Sequence, residues 1–361
     1  MRKSGSLVAA MRRTATVAAL TLAVAGAFVD AAAAAPVKLP EASQKATVRQ
    51  TIGLTDITVS YHRPLVKGRV IWGGLEPWGE VWRAGANENT TISFSDDVTV
   101  DGQPLPAGTY GLHMIPKQDE WTVIFSKNST SWGSYFYEPA EDALRIQVKP
   151  VPIDMREALT YDFDDPKEDA VTVALKWEKV SIPFKVGVDV KKTVVANVQR
   201  QMRSLPAFSW DGPESAAVWC VDNGVNLDQA LTWIDRSIQA EERFENLQTK
   251  SRLLEKMGKG ADAQQAMARA VDKANAQQLH FYGRQLLTDG KTAEALRIFQ
   301  LNHQKNPDVW FVSAGLARGY AASGDTANAV KSMKEALAKA PEAQKAQVQG
   351  LLTKLEKGEK I

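Results

Sequence analysis

The apolar residues of this chain recur with two different periods, and no single layer of structure can satisfy both. From Ala46 to about Val186 they alternate every second residue. Ile57, Val59 and Tyr61 share one parity while Thr58, Ser60 and His62 share the other. Trp121, Val123 and Phe125 repeat the pattern, as do Leu144, Ile146 and Val148, and then Val171, Val173, Leu175 and Trp177. Turn residues separate the runs: Gly53, Asp101-Gly102, Pro106-Ala107-Gly108 and Asp164-Asp165-Pro166. Alternation bounded by Gly, Pro and Asp predicts half-buried antiparallel strands, about eight to ten of them, and hence a β-sandwich.

From Val188 onward the period becomes helical. Tyr282-Gly283, Gly290, Ala295, Phe299 and Pro307 align with Leu316-Ala317, Gly324, Ala329, Met333 and Pro341 at an offset of 34 residues. Weaker copies run through Gly258, Ala263, Met267 and Ala270, and through Gly224, Ala230, Ile234 and Ser237. An offset of 34 with small residues where paired helices touch is the tetratricopeptide period. Such units bury a continuous core only when three or more stack. The expected fold is therefore α+β as two domains: an N-terminal antiparallel β-sandwich at residues 40–187 and an all-α tetratricopeptide-like repeat domain at residues 188–361. His280 and His303 in the repeats read as solvated or cap positions, and Cys220, within Ala216-Ala217-Val218-Trp219-Cys220, as a buried thiol.

Ahead of the strands, Arg2, Lys3, Arg12 and Arg13 precede an apolar stretch from Thr14 to Val29, and Ala31 to Ala35 supply small residues. Basic start, short apolar run and small-residue exit form a secretory signal peptide, expected to occupy residues 1–33. The run is shorter than the roughly 20 residues that span a bilayer, so no membrane span is expected after cleavage. The whole chain carries +2, and removing those four basic groups and Asp30 leaves about −1. A near-neutral chain without basic runs lacks the footprint of a nucleic-acid binder, so nucleic acid is not an expected partner. With one cysteine no internal disulfide can form, and both domains must rely on packed cores.

One segment interrupts the strand pattern. Between Tyr61 and Asn89 lie Gly68, Gly73, Gly74, Gly79 and Gly85, with Arg63, Arg69 and Arg83 and with Trp72, Trp78 and Trp82 among them. A loop this long inside a compact domain is functional or forms its own packed cluster. Trp and Arg dominate recognition sites, because an indole offers a large apolar face and a guanidinium a rigid fork. The candidate ligand-binding residues are Arg63, Arg69, Trp72, Trp82, Arg83, Asn87 and Glu88. Trp132 and Tyr137, within Trp132-Gly133-Ser134-Tyr135-Phe136-Tyr137, are candidates for an opposite lip. The alternative is that the tryptophans cap the sandwich end, with the arginines paired to Glu76, Glu80 and Glu88.

Tyr61-His62-Arg63-Pro64-x-x-Lys67-Gly68-Arg69, Gly73-Gly74-Leu75-x-Pro77-x-Gly79 and Trp82-Arg83-x-Gly85-Ala86-Asn87-Glu88 resemble the domain-of-unknown-function family 2911. Leu105-Pro106-Ala107-Gly108-Thr109-Tyr110 and Trp121-Thr122-Val123-Ile124-Phe125 resemble its second half, so the likeness covers roughly residues 40–187. It implies an exported bacterial protein with a repeat tail, and no activity.

No nucleophile elbow, His-Glu-x-x-His or phosphate loop is present, and no cofactor is expected. A two-histidine metal site would need the strands of His62 and His113 to be neighbours. Asp96-Asp97 and Asp164-Asp165 read as solvated turn acids. The leading function is a periplasmic or secreted module that binds a protein or cell-envelope ligand, joined to a repeat platform. The alternatives are a hydrolase of envelope glycan or peptide, with Glu88 as one carboxylate, and a purely structural sandwich. N-terminal sequencing of the exported form should find a start near Ala34; Met1 intact on membrane-bound material would overturn the signal-peptide reading.

Overall fold

The structure is a computed structural model that describes residues 39–361. The signal peptide expected at residues 1–33 lies outside the described residues. Among the described residues no helix is long and apolar enough to cross a membrane.

Ten strands occupy the first half: β1 (Gln44–Ile52), β2 (Thr55–Arg63), β3 (Thr91–Phe94), β4 (Val98–Val100), β5 (Gln103–Leu105), β6 (Gly108–Ile115), β7 (Trp121–Ser126), β8 (Asp142–Val148), β9 (Val151–Asp164) and β10 (Ala170–Val188). They form two antiparallel sheets, ordered β1-β2-β3-β6-β7-β8 and β5-β4-β10-β9. Both sheets line one apolar core, as the alternation predicts. Ile57, Val59 and Tyr61 are buried on β2, and Leu112 and Met114 on β6. They face Leu159 and Tyr161 of β9 and Trp177 and Phe184 of β10. Tyr61 and Tyr161 tie the sheets, with rings 4.8 Å apart and the Tyr161 N–H donating to the Tyr61 hydroxyl at 3.1 Å.

The longest strand keeps its face to the core by a change of parity. Val171, Val173, Leu175 and Trp177 are core residues at odd positions, and Ile182, Phe184, Val186 and Val188 at even ones. Between them Glu178 adopts φ +56°, and the register against β9 shifts on both sides of it. The left-handed backbone at Glu178 switches later side chains to the other face, so both halves of a 19-residue strand point inward, while the extra residues of this bulge lie on β9, where residues 152–160 oppose 176–180.

Ten α-helices follow among the described residues: α1 (Val190–Gln201), α2 (Asp211–Asn223), α3 (Leu227–Ala240), α4 (Phe244–Lys256), α5 (Gly260–Lys273), α6 (Ala276–Thr288), α7 (Thr292–Lys305), α8 (Trp310–Ala322), α9 (Thr326–Lys339) and α10 (Glu342–Glu356). The four expected copies are the pairs α2/α3, α4/α5, α6/α7 and α8/α9. Each pair turns at a glycine with positive φ: Gly224, Gly258, Gly290 and Gly324. Gly358 repeats this after α10. A left-handed residue that closes one helix and releases the next is cheapest as glycine. Buried Ala295, Ala317, Ala329 and Phe299 then fill the contacts between helices. Cys220 is buried at the centre of the first pair, and burial raises its thiol pKa, which fits a packing role.

The two halves meet without a linker. β10 ends at Val188, and the Asp189 carboxylate caps α1 by accepting the Lys192 N–H at 3.0 Å. Val190 packs on the sandwich core. The first exposed apolar stretch beyond the junction lies after α1, where a short 3-10 turn (Leu205–Phe208) leaves Leu205 and Phe208 about four-fifths exposed. Limited proteolysis should therefore cut first within residues 202–210. A first cut at 186–190 would show that the strand-to-helix junction is loose.

Candidate functional site

The loop from Pro64 to Asn89 is bound to the sandwich by indoles. Trp72 packs edge-on against Trp82, Trp121 and Trp177 at centroid distances of 5.7, 4.7 and 5.6 Å, and Trp82 stacks on Trp177 at 5.9 Å. Trp82 also pairs with Met114 of β6 through backbone hydrogen bonds of 2.8 Å in both directions. Buried Trp82 and half-buried Trp72 are therefore core fillers, not the ligand faces expected from sequence. The indole face that suits recognition equally suits closing an open sandwich end.

The arginines divide. Arg63 donates from Nε to the Leu159 carbonyl at 3.0 Å and from Nη2 to Thr160 Oγ1 at 2.9 Å, fastening β2 to β9. Arg69 donates to the carbonyls of Val66 and Leu65, capping its own turn. Both are structural donors, which corrects the expectation that they face a ligand. Arg83 is different. Its guanidinium lies over the Trp132 ring at 5.4 Å, and its buried Nε has no hydrogen-bond partner. Among the described residues none of the three arginines forms an ion pair, so pairing to Glu76, Glu80 or Glu88 does not occur.

Trp132 brings the second expected segment onto the first. It stacks on Tyr135 at 5.7 Å with the planes 12° apart, and Trp132, Tyr135 and Phe136 are 53%, 75% and 70% exposed. Their loop roofs the outer face of the six-stranded sheet. Tyr137 lies on its underside, donating from its hydroxyl to Asp142 Oδ2 at 2.8 Å and accepting from Arg145. His113 Nδ1 meets Ser134 Oγ at 2.8 Å, and the Asn89 side-chain amide spans to Asn128 O and Ser131 Oγ at 3.4 Å. Gly111 makes the close fit possible. A Cβ there would sit 2.5 Å from Asn128 O and 2.8 Å from Asn89 Nδ2. Buried Asn89 Oδ1 and Asp142 Oδ1 have no hydrogen-bond partners.

Asn87 has φ +55° and donates to Ser43 O at 3.2 Å, so it shapes the loop end. Glu88 is exposed, and its carboxylate lies 3.1 Å from His62 Nε2. His62 and His113 share the outer face with β3 between their strands, and His62 meets Glu88 while His113 meets Ser134. The acid pairs serve turns: Asp96 accepts from Ser95 and Thr55, and Asp164 pairs with Lys176.

Electrostatics sharpen the picture. Burial raises Glu76 to about 7, against the opposing pull of Arg83 and Arg69. Around neutral pH a substantial share of this carboxyl is therefore protonated. Burial lowers His113 to about 4, partly opposed by Asp142. So weak a base takes little of a serine proton at neutral pH, and the His113–Ser134 contact fits a latch for the roof loop better than an activated nucleophile.

Sequence reasoning found Arg83 and Trp132, weighed Glu76 only as an arginine partner and His113 only as a metal ligand, and missed Ser134, Asn89 and Asp142. One signal was readable. Ile124 breaks the polar parity of β7 and is fully buried outside the sandwich core, which announces a second layer over that face.

Residues 43–186 match the family model described as a protein of unknown function, DUF2911. No curated protein matches the chain. Solved structures similar to the C-terminal region include YrrB, described as a TPR protein with an unusual peptide-binding site, at 13% identity over 41% of this chain and 77% of that one, with a TM-score of 0.27. PilF of Pseudomonas aeruginosa is 16% identical over 40% and 67%, with a TM-score of 0.29. The C-terminal part of a TPR repeat-containing protein from Cytophaga hutchinsonii is 16% identical over 46% and 70%, with a TM-score of 0.31.

The Glu76 shift has a definite sign. Its folded pKa exceeds the ordinary 4.5, so the folded chain keeps a proton that the unfolded chain releases, and stability falls as pH rises from about 4.5 to 7. Glu76→Gln should remove that slope and be more stable than the parent above pH 7 by on the order of 2–3 kcal/mol. Parallel melting curves from pH 4.5 to 8 check it; equal slopes would show that Glu76 ionises without cost.

Proposed function

We propose that this chain is an extracytoplasmic binding protein, in which the sandwich carries the ligand lip and the helical stack serves as a platform for a protein partner. The observation that carries the reading is the half-buried Arg83 under Trp132. It is a guanidinium with no ion-pair partner among the described residues, laid beneath a row of exposed aromatic faces. A guanidinium left without an anion in a partly desolvated place costs free energy unless something binds there. The fork offers paired donors to a carboxylate or to neighbouring hydroxyls, while Trp132, Tyr135 and Phe136 offer flat apolar surface. A cell-envelope glycan or peptide has both features. Export by a signal peptide at residues 1–33 would bring the site to the compartment of such ligands, which supports this reading.

Binding of residues 34–361 to an array of envelope glycans and peptides tests the reading, with Trp fluorescence as readout. Arg83→Ala and Trp132→Ala should each weaken the best ligand by about 2 kcal/mol or more, as truncations at the centre of a site do. The melting temperature should move little, since neither side chain holds a core contact. Ligands that bind both variants as well as the parent, or an array with no ligand, would sink the proposal.

A further inference from the structure

Positive charge on the helical half is not spread evenly. In the third repeat His280, expected from sequence to be solvated, is wedged among Phe281, Phe299 and Phe311 at 5.9, 6.1 and 5.5 Å. Burial, then the charges of Arg284 and Arg318, lower it to about 4. The stronger bias lies ahead of the repeats. Between Asp189 and Asp211 the chain holds Lys191, Lys192, Arg200 and Arg203 and no acid, so residues 190–210 carry +4 in a chain whose charges nearly balance. All four cations are exposed. Lys192 lies 3.7 Å from Asp97, a pair open to water and therefore weak. Lys191 donates to the Asn223 carbonyl at 3.0 Å and Arg200 to Asn197 Oδ1 at 3.3 Å. Exposed Arg236 of α3 joins them, donating to the Met202 carbonyl at 3.2 Å. Among the described residues Lys191, Arg200, Arg203 and Arg236 form no ion pair.

The apolar residues beside these cations point the wrong way for a core. Leu205 is 84% and Phe208 80% exposed, the two most exposed large apolar side chains among the described residues. Between them Ala207 is buried. The Pro206 carbonyl closes on α2, where a Cβ at Gly212 would come within 1.9 Å of that oxygen. The 3-10 turn is thus seated on the first repeat by its small residue and holds its large ones away from the protein. Trp210, just beyond, is engaged: its ring lies under the Arg243 guanidinium at 4.5 Å, and its carbonyl accepts from Ser237 Oγ at 2.6 Å. The acid that ends the basic run, Asp211, is engaged by the Ser209 hydroxyl and by N–H groups at the start of α2.

We infer that the end of α1 and the turn after it dock on an anionic lipid surface. Leu205 and Phe208 enter the boundary between headgroups and acyl chains, and Arg200, Arg203 and Arg236 meet the phosphates. The inference is independent of the ligand lip and of the partner platform. Charge and shape together select this occupant. Protein interfaces are depleted of charge at their centres. Two protruding apolar side chains ringed by cations instead match a surface that is anionic on top and apolar beneath. Arg200 and Arg203, three apart on one helix, share a face. Their stems can lie along the apolar layer while the guanidiniums stay among the headgroups. Each cation near such a surface strengthens attachment roughly fivefold, so the arginines and the inserted pair hold the chain only in combination.

The test is co-sedimentation of residues 34–361 with two kinds of vesicle: phosphatidylcholine alone, and phosphatidylcholine with about one lipid in three replaced by phosphatidylglycerol. The chain should bind the anionic vesicles about tenfold more tightly or better, with a preference that shrinks between about 50 and about 500 mM salt. Arg200→Gln/Arg203→Gln should lose most of that preference. Leu205→Ser/Phe208→Ser should weaken binding to the anionic vesicles about tenfold while leaving the melting temperature unchanged, since both positions are exposed. Phe208→Ser alone should show part of the loss even if the double variant folds poorly. Equal binding to both kinds of vesicle, or binding to neither, would overturn the inference. Binding that survives both double variants but falls with Trp132→Ala would overturn it in favour of the roof loop. Self-association without vesicles, abolished by Leu205→Ser/Phe208→Ser, would overturn it in favour of a second copy of this chain.

Discussion

Four indoles hold the functional end of the sandwich in place. Trp72 and Trp82 come from the long loop, Trp121 from one sheet and Trp177 from the other, so a single aromatic cluster joins three pieces of chain distant in sequence. Each indole buries far more apolar surface than an aliphatic side chain, and edge-to-face contacts favour one mutual arrangement over many. A glycine-rich loop of some 25 residues would otherwise sample many paths. Because Trp82 is fixed both by this cluster and by backbone pairing to Met114, the next residue, Arg83, emerges at a defined point. The same constraint leads the loop back to β3 with Asn89 over Gly111, where the roof loop closes. The polar surface is thus positioned by an apolar one beneath it.

Much of this architecture is legible without coordinates. The alternation at Ile57, Val59 and Tyr61 predicts a half-buried strand because a strand has a period of two. The 34-residue spacing of Gly290 and Gly324 predicts paired helices because a left-handed glycine readily closes one helix and releases its partner. The change of parity in β10 is also written in the residues, as the switch from odd to even apolar positions between Trp177 and Ile182. The site reads less well for a physical reason. Recognition surfaces and core plugs draw on the same side chains, so Trp72 and Trp82 could not be separated from Trp132 by composition. Arg63 and Arg69 likewise differ from Arg83 only in whether a carbonyl happens to lie within reach, which is a tertiary fact. The latch of His113 on Ser134 depends on a loop folding over an outward face, and alternation alone assigns that face to solvent.

The charge distribution unites the two surfaces. Most acids and bases among the described residues meet an opposite partner or bulk water. Arg318 is held instead where burial and the charge of Arg284 work against it, and the buried Nε of Arg83 goes without a partner.

The junction between Val188 and Val190 sets how the two surfaces act together. With only the capping residue Asp189 between an inner strand and the first helix, and with Val190 packed on the sandwich core, the step from sandwich to α1 is stiff, and what freedom the repeats keep lies after α1, at residues 202–210. A flexible linker dilutes a second binding event over all the volume it can sweep, whereas a stiff one concentrates it at a single distance and angle. A partner docked on the helices would meet the sandwich lip at a high effective concentration if its own ligand lay at the matching span. Spans beyond the reach of the segment after α1 would be refused, so such a molecule would respond to separation as well as to chemistry.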